Sequence, residues 1–173
     1  MSIEKAKAGG VFTLQCFDQS GSLKWETQSH NLVVNVGLKD MNEKYFTGSS
    51  YTAAWYLGLY GAGASNTPAA GDTMSSHAGW TEVTAYSEAT RPACVFGTAT
   101  TADPSVISNA GSVAVYTING TTTVGGAFLT TNNTKGGTTG VLFSAADFES
   151  PGDRSVVAGD VINLTYQFSL DAA

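Results

Sequence analysis

Hydrophobic and polar residues alternate along much of this chain, and the alternation predicts strands. Residues 11–17 place Phe12, Leu14 and Cys16 on one face and Thr13 and Gln15 on the other. Asp18 to Gly21 supplies turn chemistry before residues 23–27 resume the extended pattern, so a hairpin is expected. Residues 52–60 carry Trp55, Leu57 and Leu59 on one side and Tyr56, Gly58 and Tyr60 on the other. Both faces are apolar, which predicts a central strand. Residues 105–107 read as a short edge strand, and 113–118 as a clear strand ended by Asn119 and Gly120. Asn-Gly between alternating runs is a hairpin signal, with 124–131 as the natural partner strand. Gly125 and Gly126 inside that partner predict a bulge or a close backbone approach. Residues 141–143 return to the core before a loop through 150–153. In the last strand Ile162, Leu164, Tyr166, Phe168 and Leu170 face one way, and Val161, Asn163, Thr165, Gln167 and Ser169 the other.

One segment has helical spacing instead. In residues 31–46, Val36, Leu38, Met41, Tyr45 and Phe46 recur on one face, with Lys39, Asp40, Asn42 and Glu43 largely opposite and Asn35 as the expected cap. This reads as an amphipathic helix closing one open end of a β-structure. Residues 1–10 read as an exposed N-terminal arm, frayed or docked on a neighbour. About eight strands, one helix and regular turn signals predict an all-β fold, an antiparallel β-sandwich or jelly-roll-like barrel with one short α-helix. The expected organisation is the 1–10 arm followed by a single domain over 11–173, with a long loop at 61–92.

The segment 71–97 fits neither period, yet it carries Met74, His77, Trp80, Val83, Tyr86, Val95 and Phe96. A connection this long is usually functional or disordered, and this one has too many apolar anchors for disorder. Trp80 and Tyr86 have the large, few-rotor side chains that dominate interfaces, and they serve equally well as core anchors. Glu82, Glu88 and Arg91 are placed to pair internally; the alternative is an Arg91 presented to a partner's carboxylate. Met74, His77, Trp80, Tyr86 and Arg91 are the expected interface residues.

Composition narrows the function. Only 13% of residues are charged, the formal net charge is -6 and the sequence pI is about 4.6, so no basic patch able to neutralise several phosphates is expected. Direct nucleic-acid binding is therefore not expected. The start lacks the apolar run of a secretory signal and no stretch approaches a membrane span, so a chain made in a cytoplasm, without membrane contact, is expected. Cys16 and Cys94 then read as reduced, buried thiols. His77 lies five residues from both Asp72 and Glu82, but neither spacing matches a familiar metal motif, and no GxSxG elbow or GxxxxGK loop is present. No enzyme activity, cofactor or metal is expected.

Five stretches taken together, NLVVNVGLKDM (31–41), AAWYLGLYG (53–61), GDTMSSHAGWTEVTAYSEATRP (71–92), VGGAFLTTNNTKGGTTG (124–140) and AGDVINLTYQF (158–168), resemble a group of small tailed-bacteriophage structural proteins. There, a short helix, a WYxGL strand, a GDTM-SHAGW-Y-ATRP loop, a GGAFL strand with a KGGTTG turn and a final GD-strand follow in the same order. The resemblance implies a virion protein made in the host cytoplasm, and a head decoration (cement) protein on the outer capsid surface in particular. It implies the major capsid protein and copies of the chain itself, as a dimer or trimer, as partners. The alternative is a tail or fibre-associated β-sandwich that binds a receptor or carbohydrate, with Trp25, Trp55 and Trp80 available for stacking on sugars.

Overall fold

A computed structural model describes residues 5–48, 51, 53–61, 67–149 and 152–172. The chain runs β1 (Ala6–Phe17), β2 (Leu23–His30), β3 (Leu32–Val33), α1 (Asn35–Phe46), β4 (Tyr56–Gly61), β5 (Ser105–Ser108), β6 (Ala114–Thr117), β7 (Thr122–Thr130), β8 (Leu142–Asp147), β9 (Arg154–Val156) and β10 (Val161–Ala172). The strands form two antiparallel sheets. One has the order β2-β1-β10-β5, with β6 also on β10; the other has the order β3-β8-β7-β4, with β9 also on β7. The expected all-β, sandwich-like architecture with one short helix is what the chain adopts.

The core lies between the sheets. Phe12, Leu14, Ile162, Leu164 and Tyr166 of the first sheet join Leu57, Leu59, Ala127, Leu129 and Phe143 of the second in one buried cluster. Alternation explains the inward set, because residues two apart along a strand share a face. The β1–β2 hairpin forms as expected, and β10 pairs with β1 along its whole length, from Phe17↔Val161 to Ala6↔Ala172.

Four expectations need correction. Residues 6–10 are not an arm but the first part of β1, held by β10, while 1–4 lie outside the described residues. The helix starts at Asn35 with Val34 at the cap position and no side-chain cap; residues 32–33 before it are a strand paired with β8. The turn at Asn119 and Gly120 joins no hairpin. Instead β6 pairs with β10 in one sheet and β7 with β4, β8 and β9 in the other, so this turn carries the chain between sheets. Finally β4, though buried on both faces, pairs with β7 on one side only.

Gly125 and Gly126 of β7 and Gly58 of β4 explain that pairing. Opposite residues are Gly58↔Phe128 and Tyr60↔Gly126, so each aromatic ring lies over the glycine of the other strand. A Cβ at Gly58 would fall inside the Phe128 ring, and one at Gly126 would meet both Tyr60 and the Ala146 carbonyl. The register then skips Gly125, passing from Tyr60↔Gly126 to Gly61↔Val124, which is the expected bulge.

Candidate functional site

The segment 71–97 covers the outer edge of β4. Gly61 N–H donates to the Thr81 carbonyl and Val83 N–H to the Leu59 carbonyl; farther on, Leu57 N–H donates to the Pro92 carbonyl and Cys94 N–H to the Trp55 carbonyl. Two short runs of irregular chain thus take the place of a neighbouring strand. An uncovered edge is a template for unwanted pairing, and this one is closed from within.

Side chains fix the cover in place. Trp80, only 4% exposed, packs on Tyr60 and Phe128 with ring centroids 5.0 and 5.3 Å away, in a cluster with Met74, Val34 and Leu142. Its Nε1 donates to Asp72 Oδ2 at 3.1 Å, and the same oxygen accepts from Ala69 N–H at 3.0 Å. His77 stacks on the Trp80 indole at 3.8 Å, half-buried, with Nδ1 3.0 Å from the Trp80 carbonyl oxygen. Arg91, 1% exposed, donates through Nε and Nη2 to the two oxygens of Glu82 at 2.8 and 2.7 Å. Its remaining donors reach the carbonyls of Asn132 and Gly137 at 2.8 and 2.7 Å, and the guanidinium lies 5.3 Å from the Phe128 ring centroid. Gly136 N–H also donates to Glu82. A buried ion pair is tolerable when all its polar atoms find partners, and this fork supplies them.

Tyr86 is fully buried against Tyr116, its ring edge-on at 5.0 Å, and burial pushes its phenol above the ordinary tyrosine range. Lys135 reaches over that ring and donates to the Tyr86 and Glu88 carbonyls at 2.8 and 2.7 Å. Both cysteines are free and buried. Burial, with the Asp160 charge adding to it, pushes the Cys16 thiol up to about 11, and burial pushes that of Cys94 up to about 12.

Of the five expected interface residues, Met74 and Trp80 share one buried cluster with His77 stacked on it and Arg91 over its Phe128 ring, while Tyr86 lies in the main core. Met74, Trp80, Tyr86 and Arg91 hold the segment to its own sandwich, and His77 alone keeps a partly open face. The internal pairing of Glu82 and Arg91 is the form the acidic residues take, whereas Glu88 accepts instead from Thr117 N–H. Asp72 and Glu82, considered with His77 as ligands, are engaged by Trp80 and Arg91.

A second region was not anticipated. Between α1 and the two sheets lies a cavity of about 350 Å³, walled by Met41, Trp55, Phe96, Phe143, Tyr166 and Phe168. Asp40, Lys44, Tyr45 and Tyr51 form its rim. Beside it Tyr45 and Phe46, at the end of α1, are 80% and 76% exposed, their rings packed edge to face at 4.9 Å. Adjacent residues cannot share one narrow helix stripe. The Tyr45-Phe46 pair was thus the available signal that part of this apolar end stays outside the core. The cavity itself draws on both sheets, the helix and a loop, and no local pattern announces it.

Among the described residues no helix is long and apolar enough to cross a membrane. No family of known proteins matches the chain, and no curated protein or solved structure matches it either.

Proposed function

We propose that the chain is a virion structural protein of a tailed phage, a decoration or cement protein that binds the outer surface of the assembled capsid and reinforces it. One observation carries this reading. The motifs of the resemblance meet in a single buried assembly: Trp80 of the SHAGW run, Arg91 of ATRP, Tyr60 of the β4 run, Phe128 of GGAFL and Gly137 of the KGGTTG turn. The Trp80 indole N–H and the Arg91 guanidinium are both engaged in holding the 71–97 segment in place. A shared signature of this kind specifies a fold, as expected of a protein whose task is to stand on a particle and stay folded.

The partners of this reading are the major capsid protein and copies of the chain itself, and adhesion draws on many copies acting together. Of the three tryptophans of the tail or fibre reading, Trp80 is buried and has no face to offer a sugar, whereas Trp25 and Trp55 are half-buried. The test is to add purified chain to capsids that lack it and image the particles. Copies at regular positions on the head surface, with raised resistance of the capsid to heat, are the expected result. Binding at the tail tip, or none, overturns the proposal.

A further inference from the structure

We propose that the cavity beneath α1 is a binding site for a small, neutral, flat aromatic molecule of about two fused rings. The helix and both sheets build it. Met41 comes from α1, Tyr166 and Phe168 from β10 of one sheet, and Leu129 and Phe143 from β7 and β8 of the other. Seven of the twelve lining residues are aromatic, so the walls present rings more than aliphatic groups. Trp55 meets Phe143, and Phe143 meets Phe168, edge to face with centroids 5.3 and 5.5 Å apart. A guest ring seated among them extends the same pattern of contacts.

Size, polarity and charge select this class of ligand. A cavity on the order of 150 Å³ lined by apolar side chains stays dry and holds one benzene ring. At about 350 Å³ the one here has room for roughly twice as much, and it falls at the small end of ligand pockets, which run to about 1,000 Å³. A compact molecule therefore fits it. Inside the rim, the Tyr166 hydroxyl is already engaged by Asn31 and Ser144 at 2.8 and 3.2 Å, and the Trp55 side chain by Tyr51. Polar groups of a ligand would go unpaired there, a cost that an apolar ring avoids. At the mouth, Asp40 and Lys44 stand one helical turn apart on α1 with opposite charges, so the rim has no net charge to draw in an ion. An ionic ligand would lose its hydration without gaining a counter-charge in the walls.

This inference concerns the free chain and does not rest on the capsid reading, so the two fail separately. The probe is 2-naphthol, uncharged at neutral pH, titrated into the full chain with isotope-labelled methyl groups and followed by NMR. The methyls of Met41, Ile107 and Leu129 line the cavity, and a ring seated among them should shift their resonances saturably, with a dissociation constant tighter than about 1 mM. Absence of saturable shifts at these methyls overturns the proposal. Decahydro-2-naphthol, of nearly the same size but without π faces, should bind at least about threefold more weakly. Equal or tighter binding of it overturns the aromatic class. The anion 2-naphthoate and the cation (2-naphthylmethyl)trimethylammonium should each bind more weakly than 2-naphthol, and tighter binding of either overturns the neutral class. Ile107→Trp, which places an indole in the space, should abolish the Met41 and Leu129 shifts in a chain that circular dichroism shows to be folded. Met41→Trp, from the helix side, is the second filling variant. Shifts that survive in a folded, filled variant show that the probe binds elsewhere and overturn the site.

Discussion

The 71–97 segment and the C-terminal end of α1 are opposites. The first has almost no regular structure and is tied down at nearly every large side chain, whereas the second is a regular helix that ends in two bare aromatic rings. Regularity of the backbone and burial of side chains are separate quantities. In the loop, main-chain groups find partners on β4 and side chains find a pocket, so order comes from tertiary contacts. In the helix, the main chain satisfies itself, and nothing in its hydrogen bonding requires Tyr45 or Phe46 to be covered.

The sharpest way to break the contrast is to remove Arg91. Arg91→Met should leave the buried Glu82 carboxylate without its cation, with only the Gly136 N–H as donor, and two carbonyls without the Arg91 donors, and the loss of one partner from such a pair costs about 3–5 kcal/mol. Urea unfolding measures it. Arg91→Lys should recover only a part, since an ammonium cannot reproduce the fork. A cost no larger than that of a surface exchange would mean the loop is not anchored as described. Next is Asp72→Ala, which leaves Trp80 Nε1 and Ala69 N–H unpaired and should cost about 1–3 kcal/mol in the same assay.

A third expectation concerns alkaline pH. The Cys16 and Cys94 thiols, pushed up to about 11 and about 12, hold their protons in the fold beyond the pH at which the unfolded chain releases them, near 9. Between those values the folded state binds more protons, so stability is fully present below about pH 9 and falls as pH rises toward 11–12. The buried tyrosines Tyr60, Tyr86 and Tyr166 act in the same direction. Thermal midpoints should therefore hold steady through neutral pH and drop above it. A constant midpoint across that range would contradict the burial of these groups. The smallest effect belongs to the helix end: Phe46→Ala, at a residue 76% exposed, should change stability by less than about 0.5 kcal/mol. A larger loss would mean the ring is packed within its own chain.

The strands with clean alternation, β1, β2 and β10, were legible because a half-buried strand writes its two faces into the sequence. The turn at Asn119 misled because Asn-Gly reports a local reversal and says nothing of which sheet the next strand joins. Strand β9, three residues long, gives no pattern to read. In the 71–97 segment the anchors were legible but their direction was not, since Trp and Tyr suit a core and an interface alike. Pairing of Arg91 with Glu82 could be drawn from their nearness in sequence. Its carbonyl partners lie 41 and 46 residues away, and only the folded chain brings them in.

The crossed pairs of β4 and β7 carry a last consequence, for how these strands choose each other. Gly58 opposite Phe128 and Tyr60 opposite Gly126 form two reciprocal ring-over-glycine contacts two residues apart. Slide one strand by a single position and each ring loses the bare backbone that admits it, while its side chain turns to the other face. The correct alignment is thus distinguished from its neighbours by shape as well as by hydrophobicity. Substitutions here should be tolerated in pairs across the two strands rather than singly, so β4 and β7 are bound to change together.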